Sequence, residues 1–599
     1  MSQRMGGCSD LRFLLICGSW LAGVNWSTMP AMHARHLLLA LILLVYLVLA
    51  TLYAANVPAW QAPDEPAHFN YIHELISTGQ IPVLRMGDYD EAAIRLLTSQ
   101  RFPPELSVAS LRYEAHQPPL YYLLGAAVFS LTGGELLPLR LLSVALGAGF
   151  IVLIYAIGRM VFPERPALAL GAAAFTAFLP MHMAQAASVN NDALAELVLA
   201  AVLLMAIRYV RLALLGPRPP SRWDALALGL LVGLALVTKV SAYVALPVAL
   251  AAPLMAWYES RRTPVNNSPI HHSPIHHSSF IIHHSALILL PALLLALPWY
   301  IRNAQVYGQL DILARSWHDQ VVVGQLTTGE LLAQAGLAAV LERFLVWSHD
   351  SFWGVFGWMG VWMDGRIYTA ALAFGLAAAA GCVWAGWDGT ADEGQRMGEG
   401  DGTADGGQRM GEGDGTADGG QRMGEGDGTA DGGRRMGEAI TDHRSPITDH
   451  RSRFRRWALV LLALSALGTL GVYLAYNTQF VQPQGRYLFP ALPFVSLAVA
   501  VGWWSVARWP AAARWAALAL LAAAGLAVLW GVTQEGINRW SLLIFGGGGA
   551  LLLAWRLALP RLVGAAWRWT TRLVYALPFA AMAGLSLLAL RVFILPQLR

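Results

Sequence analysis

The apolar residues of this chain gather in blocks of roughly 16 to 22, the helix length that crosses the hydrocarbon of a bilayer, and no other feature restricts the fold as tightly. Such blocks lie near 37–55, 138–158, 167–183, 192–210, 224–238, 241–257, 281–299, 367–387, 457–476, 488–507, 512–531, 541–559 and 573–590. The predicted fold class is an all-α polytopic membrane protein with about 13 transmembrane helices. A 599-residue chain that is 56% hydrophobic and 13% charged agrees with that class. Its net charge of +4 forms no basic cluster alternating with aromatics, which excludes nucleic acid as a partner. Cys8, Cys17 and Cys382 share no metal spacing, so neither a disulfide framework nor a zinc site is indicated.

Arg35 and His36 precede the first firm span and favour a cytoplasmic start, which places the following segment outside. That segment, Asn56 to His116, carries eight acids against four arginines, as an external loop would. The block 117–132 opens on Pro118 and Pro119. If it crossed, Arg159, Arg165, Arg208, Arg211, Arg218 and Arg222 would all violate the inside-positive pattern, so it reads as an interfacial or re-entrant helix. Ahead of the spans, 1–35 is an N-terminal extension whose apolar stretch 13–25 is too brief for a span; a start near Met29 or Met32 fits.

Two stretches are low in complexity. From Asp388 to Glu438 the unit "DGTADGGQRMGEG" recurs about four times, then "ITDHRSP" and "ITDHRSR" follow; 388–456 is expected to be a disordered cytoplasmic insert between the core 36–387 and the C-terminal helices 457–599. The histidine pairs at 271/272, 276/277 and 283/284 have the look of a metal tract, but tandem repetition explains them more simply.

The chemistry-bearing residues begin where the chain leaves the first span, in "APDEPAHFNYIHELISTG". Pro66 suits a first helical turn, Asp64 or Glu65 the cap, and Gly79 the stop, with Phe69, Ile72, Leu75 and Ile76 as an apolar stripe. The large external loop thus bears an amphipathic helix. Asp64 as a plain cap is one reading; two adjacent acids at an interface, where charge is costly, point to a function. "EAHQPPLYYLL" sets His116 and Gln117 before a rigid diproline, which otherwise serves as simple punctuation. In "ASVNNDALAE", Asp192 is either a cap or an acidic site, with Glu196 one turn deeper. Lys239 in "LVTKVSAY" is the one lysine among 41 basic residues; it meets an anion or snorkels. Arg302 in "PWYIRNAQVYG" and Arg486 in "QPQGRYLFPALPF" stand at outer ends of spans, where a guanidinium grips phosphate bidentately. Asp64, His116, Asp192, Lys239, Arg302 and Arg486 come from six distant places and all fall on the outer side. A carboxylate with several cations at headgroup depth suits a lipid phosphate and a hydroxyl acceptor.

With "PDEPAHF", "HQPPLYYLL", "NDAL", "LVTKVSA", "PWYIRN" and "QGRYLFPALP" together, the chain resembles the GT-C superfamily of integral-membrane glycosyltransferases. It is most similar there to bacterial relatives of protein O-mannosyltransferases and aminoarabinose lipid A transferases, and to an uncharacterised bacterial membrane family with the Pro-Asp-Glu motif. The resemblance covers about 36–387 and 457–507 and implies a GT-C-like fold. It implies inverting transfer of a sugar from a polyprenyl-phosphate donor to a glycan, lipid or protein acceptor on the non-cytoplasmic side of an inner or plasma membrane. Asp64 would then be the acceptor-activating base with Glu65 assisting. His116, Gln117, Lys239, Arg302 and Arg486 would contact donor phosphate, and Asp192 would be a second acidic site that helps bind metal in some relatives. No complete ligand set is visible, so no ion is expected to be required, although a divalent metal is compatible.

The chemistry fits without the likeness. Phosphate is a competent leaving group, so one base plus cations suffices. No Gly-rich strand-to-helix fingerprint for nucleotides is present. Two other classes remain open: a transporter or flippase for a lipid-linked glycan, and a non-catalytic envelope-assembly subunit. Transporters often show paired halves with broken helices; the acidic loop here occurs once.

Overall fold

The computed structural model describes residues 31–262, 278–387, 446–533, 536–557 and 567–598. The stretch 13–25, the histidine pairs 271/272 and 276/277 and the repeat units lie outside the described residues. Long helices are α1 (Ala31–Asn56), α5 (Leu136–Val161), α8 (Asp192–Leu215), α10 (Ala245–Arg262), α11 (Ser278–Tyr307), α13 (Thr328–Gly354), α14 (Gly365–Trp387), α15 (Pro446–Asn477), α16 (Leu492–Arg508), α17 (Pro510–Thr533), α18 (Arg539–Leu557) and α19 (Trp567–Leu588). Shorter ones are α2 (Glu65–Thr78), α3 (Glu91–Ser99), α4 (Leu120–Thr132), α6 (Pro166–Ala177), α7 (Pro180–Ala186), α9 (Arg222–Leu236), α12 (Arg315–Val321) and α20 (Leu595–Leu598). The strands described are two-residue pieces, Val355–Phe356 and Val361–Trp362. Among the described residues twelve helices are long and apolar enough to cross a membrane, or thirteen if the bent pair α6–α7 is one span. The polytopic all-helical class holds.

The set of helices differs from the expected one in particulars. Residues 167–183 form no straight helix: α6 and α7 meet at a 65° bend, because Pro180 has no N–H to continue the ladder. Helix α13 was not anticipated, since Gly336 (φ 79°, ψ 170°) and internal charges break its apolar pattern. Its first residue and a residue beyond the Gly336 break meet one turn of α15: Thr328 Oγ1 donates to Asn477 O at 2.7 Å, and Ser348 Oγ lies 2.5 Å from Tyr473 OH. It therefore doubles back on the face that carries the loops, and the alternation of the remaining spans is unchanged. Helix α9 is short, yet Asp224 bonds Arg208 and Lys239 pairs with Asp192, so it runs antiparallel to α8 between those two levels.

Helix α4 behaves as the charge pattern requires. Its 13 residues reach about 20 Å, short of the roughly 30 Å of hydrocarbon. Its start is tied to Val237 O near Lys239, and the helix after it begins at the level of Pro58 through Arg140. Both ends thus open on the loop face. Helix α2 carries Pro66 in its first turn and stops at Gly79 (φ 67°), but its buried face is rotated from the expected stripe to Ala67, His68, Tyr71 and Ile72. It packs on α4 rather than lying flat on lipid: the Tyr71 and Tyr122 rings stack at 3.6 Å, leaving Ile76 exposed.

On the opposite face, α15 begins at Pro446 rather than near 457, and Arg453 and Trp457 both bond Glu259 on α10. The helix therefore draws its first turns from the segment assigned to the insert. Replacing 388–445 with a short Gly/Ser linker, and keeping Arg453, is expected to leave transfer in membranes unchanged, because those repeats offer no apolar face to pack. Loss of folding or turnover in that deletion would show that the repeats bind something.

Candidate active site

Asp64 is the residue before α2 and sits in the left-handed region, φ 68° and ψ −10°, a conformation costly for a residue with a Cβ. Its carboxylate does not cap the helix. Instead Oδ1 accepts from Tyr113 OH at 2.9 Å and Oδ2 from Arg486 Nη2 at 2.7 Å. Burial pushes the Asp64 carboxyl up, but the Arg486 guanidinium, with hydrogen bonds from Arg486 and Tyr113, outweighs this and holds it below the usual range. The bent backbone thus turns a capping acid into an anion held by an arginine 422 residues away.

Arg486 is itself placed by a close approach. Gly485 lies against the backbone of Ser348 and Phe352 on α13, where a Cβ would collide, and its N–H donates to Ser351 Oγ at 2.7 Å. The guanidinium is then held by Gln484 Oε1 at 2.8 Å and lies 5.2 Å from the Tyr487 ring centroid. Asp64 and Arg486 border a cavity of about 450 Å³. Tyr113, Glu114, His318, Arg343, Trp347 and Gln482 share its wall, so it combines cations, carboxyls and aromatic faces.

Glu65, expected to assist Asp64, does something else. It is fully buried and accepts from Arg140 Nε at 2.8 Å and Nη2 at 2.6 Å, and from the Trp60 and Val189 backbone N–H groups. Arg140 also donates to the carbonyls of Ala54, Val57 and Pro58. This clamp fixes the exit of α1 and hence the turn that presents Asp64. It leaves Glu65 no lone pair directed at the cavity. Arg302 likewise is committed to Asn303 Oδ1 and the Pro82 carbonyl, between Trp299 and Tyr307, and does not line the cavity.

The second acid and the lysine find each other: Lys239 Nζ lies 2.5 Å from Asp192 Oδ1. Glu196, one turn deeper, meets His182 at 3.0 Å. His116 Nδ1 is 2.9 Å from Tyr113 O, which only accepts, so that nitrogen carries the proton and Nε2 faces Gln117 Nε2 at 3.3 Å. Burial, then His318, whose ring centroid is 4.5 Å away, lower the His116 pKa to about 3. A neutral imidazole bonded this way offers a phosphate no proton, so His116 and Gln117 shape the corner rather than supply charge. Among the described residues no group of three or more His, Cys, Asp or Glu side chains stands where it would hold a metal ion.

Tyr113, Glu114, Arg140 and Arg343 were not singled out from the sequence. Glu114 stands in the "EAHQPPLYYLL" stretch, two residues before the histidine that drew attention. Arg140 is a charge inside an expected span, itself a sign of a buried partner.

An ionised carboxylate and a buried guanidinium thus face one cavity together, an anion and a cation held within hydrogen-bond distance. Residues 116–288, which contain His116, Gln117, Asp192 and Lys239, match the family model described as dolichyl-phosphate-mannose-protein mannosyltransferase. That match supports a GT-C superfamily membrane glycosyltransferase, as the motifs imply. No curated protein matches the chain. Among solved structures it is similar to ArnT from Cupriavidus metallidurans bound to undecaprenyl phosphate, at 14% identity over 93% of this chain and 77% of that one, with a TM-score of 0.40. The apo state of the same protein gives 15% identity with the same coverage and TM-score 0.40. The Archaeoglobus fulgidus oligosaccharyltransferase, in complex with Zn and sulfate, gives 13% identity over 85% of this chain and 53% of that one, with a TM-score of 0.35.

Proposed function

We propose that the protein transfers a sugar from a polyprenyl-phosphate-linked donor to an acceptor hydroxyl on the non-cytoplasmic face, with inversion at the anomeric carbon. The observation that carries this reading is the Asp64–Arg486 pair at the wall of the cavity, an anion and a cation held together with room beside them for a substrate. A donor phosphate entering there competes with Asp64 for the guanidinium. Once Arg486 turns to the phosphate, Asp64 loses the charge that suppressed its basicity and takes the proton of the acceptor hydroxyl. The oxygen attacks the anomeric carbon from the far side, the sugar–phosphate bond breaks, and its electron pair leaves on the lipid phosphate, steadied by Arg486. Lys239 does not line the cavity; in this scheme it leaves Asp192 to reach the same anion. No metal is required in this scheme.

The test uses undecaprenyl phosphate as the probe ligand and Lys239→Met, Arg486→Met and the double variant. Each single change is expected to weaken binding by about 1–3 kcal/mol, the range for hydrogen bonds to charged groups, and the double to lose less than the sum because both cations share one phosphate. Thermal unfolding run alongside separates lost affinity from lost fold. Unchanged affinity in all three folded variants would remove this donor site and favour the transporter reading.

A further inference from the structure

Around the site the acids are matched one to one with bases: Asp64 with Arg486, Glu65 with Arg140, Asp192 with Lys239, Glu196 with His182. Glu114 breaks the pattern. It lines the same cavity as Asp64, is joined through the chain to Tyr113, which holds Asp64, and among the described residues has no cation within ion-pair distance. One of its carboxyl oxygens, Oε2, is buried without a hydrogen-bond partner. An orphaned buried acceptor is costly, and it costs least when the carboxyl carries a proton.

We infer that Glu114 is a second, proton-exchanging carboxyl of the transfer site, which acts through Asp64: when ionised it raises the basicity of Asp64, and when protonated it withdraws that help. This rests on the glycosyl-transfer reading above and assigns Glu114 a positioning role in it, electrostatic rather than covalent. The groups that act on Glu114 come from every side: Asp64 before α2, Asp192 at the head of α8, Lys239 after α9 and His318 on α12, with Tyr122 of α4 and Tyr476 of α15 feeling its charge in return. Burial, then the negative charge of Asp64, push Glu114 up to about 7, while Lys239 and His318 pull the other way. Its ionisation therefore falls near neutral pH. The sign follows: as pH rises through that value Glu114 becomes an anion near Asp64, two like charges raise each other's proton affinity, and Asp64 becomes the stronger base. The acceptor proton goes to Asp64 in the step itself, and relief of the like-charge repulsion favours that transfer.

Two measurements on the full-length protein in nanodiscs decide this. In an infrared titration, wild type should show a carboxyl C=O band that disappears near neutral pH; Glu114→Gln should lack it, and Asp64→Asn should shift it to lower pH by removing the charge that holds Glu114 up. Absence of the band in wild type, or a band indifferent to Asp64→Asn, overturns the coupling. In the second, initial rates are followed between about pH 5.5 and about pH 8.5 with a panel of undecaprenyl-phosphate-linked sugars. Wild type should climb about tenfold through the same midpoint, Glu114→Gln should stay flat near the low-pH rate, and Glu114→Asp should regain a slope. A merely structural role would shift stability and leave the slope in place. If wild type transfers sugar and Glu114→Gln keeps the slope, this inference fails while glycosyl transfer stands. If wild type uses no donor in the panel, glycosyl transfer fails and the infrared titration still decides the Asp64–Glu114 coupling.

Discussion

Asp64→Asn is expected to abolish turnover, a fall of about 10²–10⁴-fold or more, the usual contribution of a positioned base. The substitution is clean for structural reasons. Asparagine tolerates the left-handed backbone at φ 68°, keeps the shape of the side chain, and still accepts a hydrogen bond from Tyr113. What it lacks is the charge that binds Arg486. With the guanidinium released, undecaprenyl phosphate should bind at least as tightly as before, so the defect should lie in kcat and not in donor affinity. Near wild-type transfer by a folded Asp64→Asn protein would remove Asp64 from the chemistry.

Breaking the Glu65–Arg140 clamp should do the opposite, harming the fold before the reaction. Both side chains are buried, at 0% and 4% exposure, so removing one partner strands a charge where water cannot reach it. Glu65→Gln or Arg140→Met is therefore expected to cost about 3–5 kcal/mol, read as a lower unfolding midpoint in detergent. A paired replacement by apolar residues, Glu65→Leu with Arg140→Met, should recover little of that loss, since it removes the stranded charge but leaves the Trp60 and Val189 N–H groups and the Ala54, Val57 and Pro58 carbonyls without the partners these two side chains supply. Should Glu65→Gln keep full stability yet lose transfer, Glu65 would be part of the reaction after all.

The contrast between these neighbours shows what a sequence can convey about such a chain. Hydropathy and the placement of arginines settle which ends of the spans share a face, because both follow from the free energy of moving a residue into hydrocarbon. Hence Asp64, Asp192, Lys239 and Arg486 were all picked out, and they pair with one another across the fold. Which acid meets which base was not legible, since a partner 422 residues away is chosen by tertiary packing and leaves no local periodicity. Glu65 and Asp64 are adjacent acids in the sequence, yet the turn at Asp64, with φ 68°, is followed by one carboxylate at the cavity and the other in the bundle. Helix α13 was hidden for a related reason: its mean hydropathy of 1.3 is the lowest among the candidate spans described, and Gly336 breaks its apolar run.

The separation of the partners in the chain also orders events during synthesis. Tyr53 near the end of α1 donates to Ser586 O at 2.6 Å, and Asp64 waits for Arg486, so segments 533 and 422 residues apart close on each other. A ribosome that has delivered the first two thirds has produced an acid without its arginine and a first span without its last neighbour. Termination before Arg486 thus leaves Asp64 without the cation that holds it and the first span without its contact to Ser586, so the cavity wall forms only after these late segments have been made.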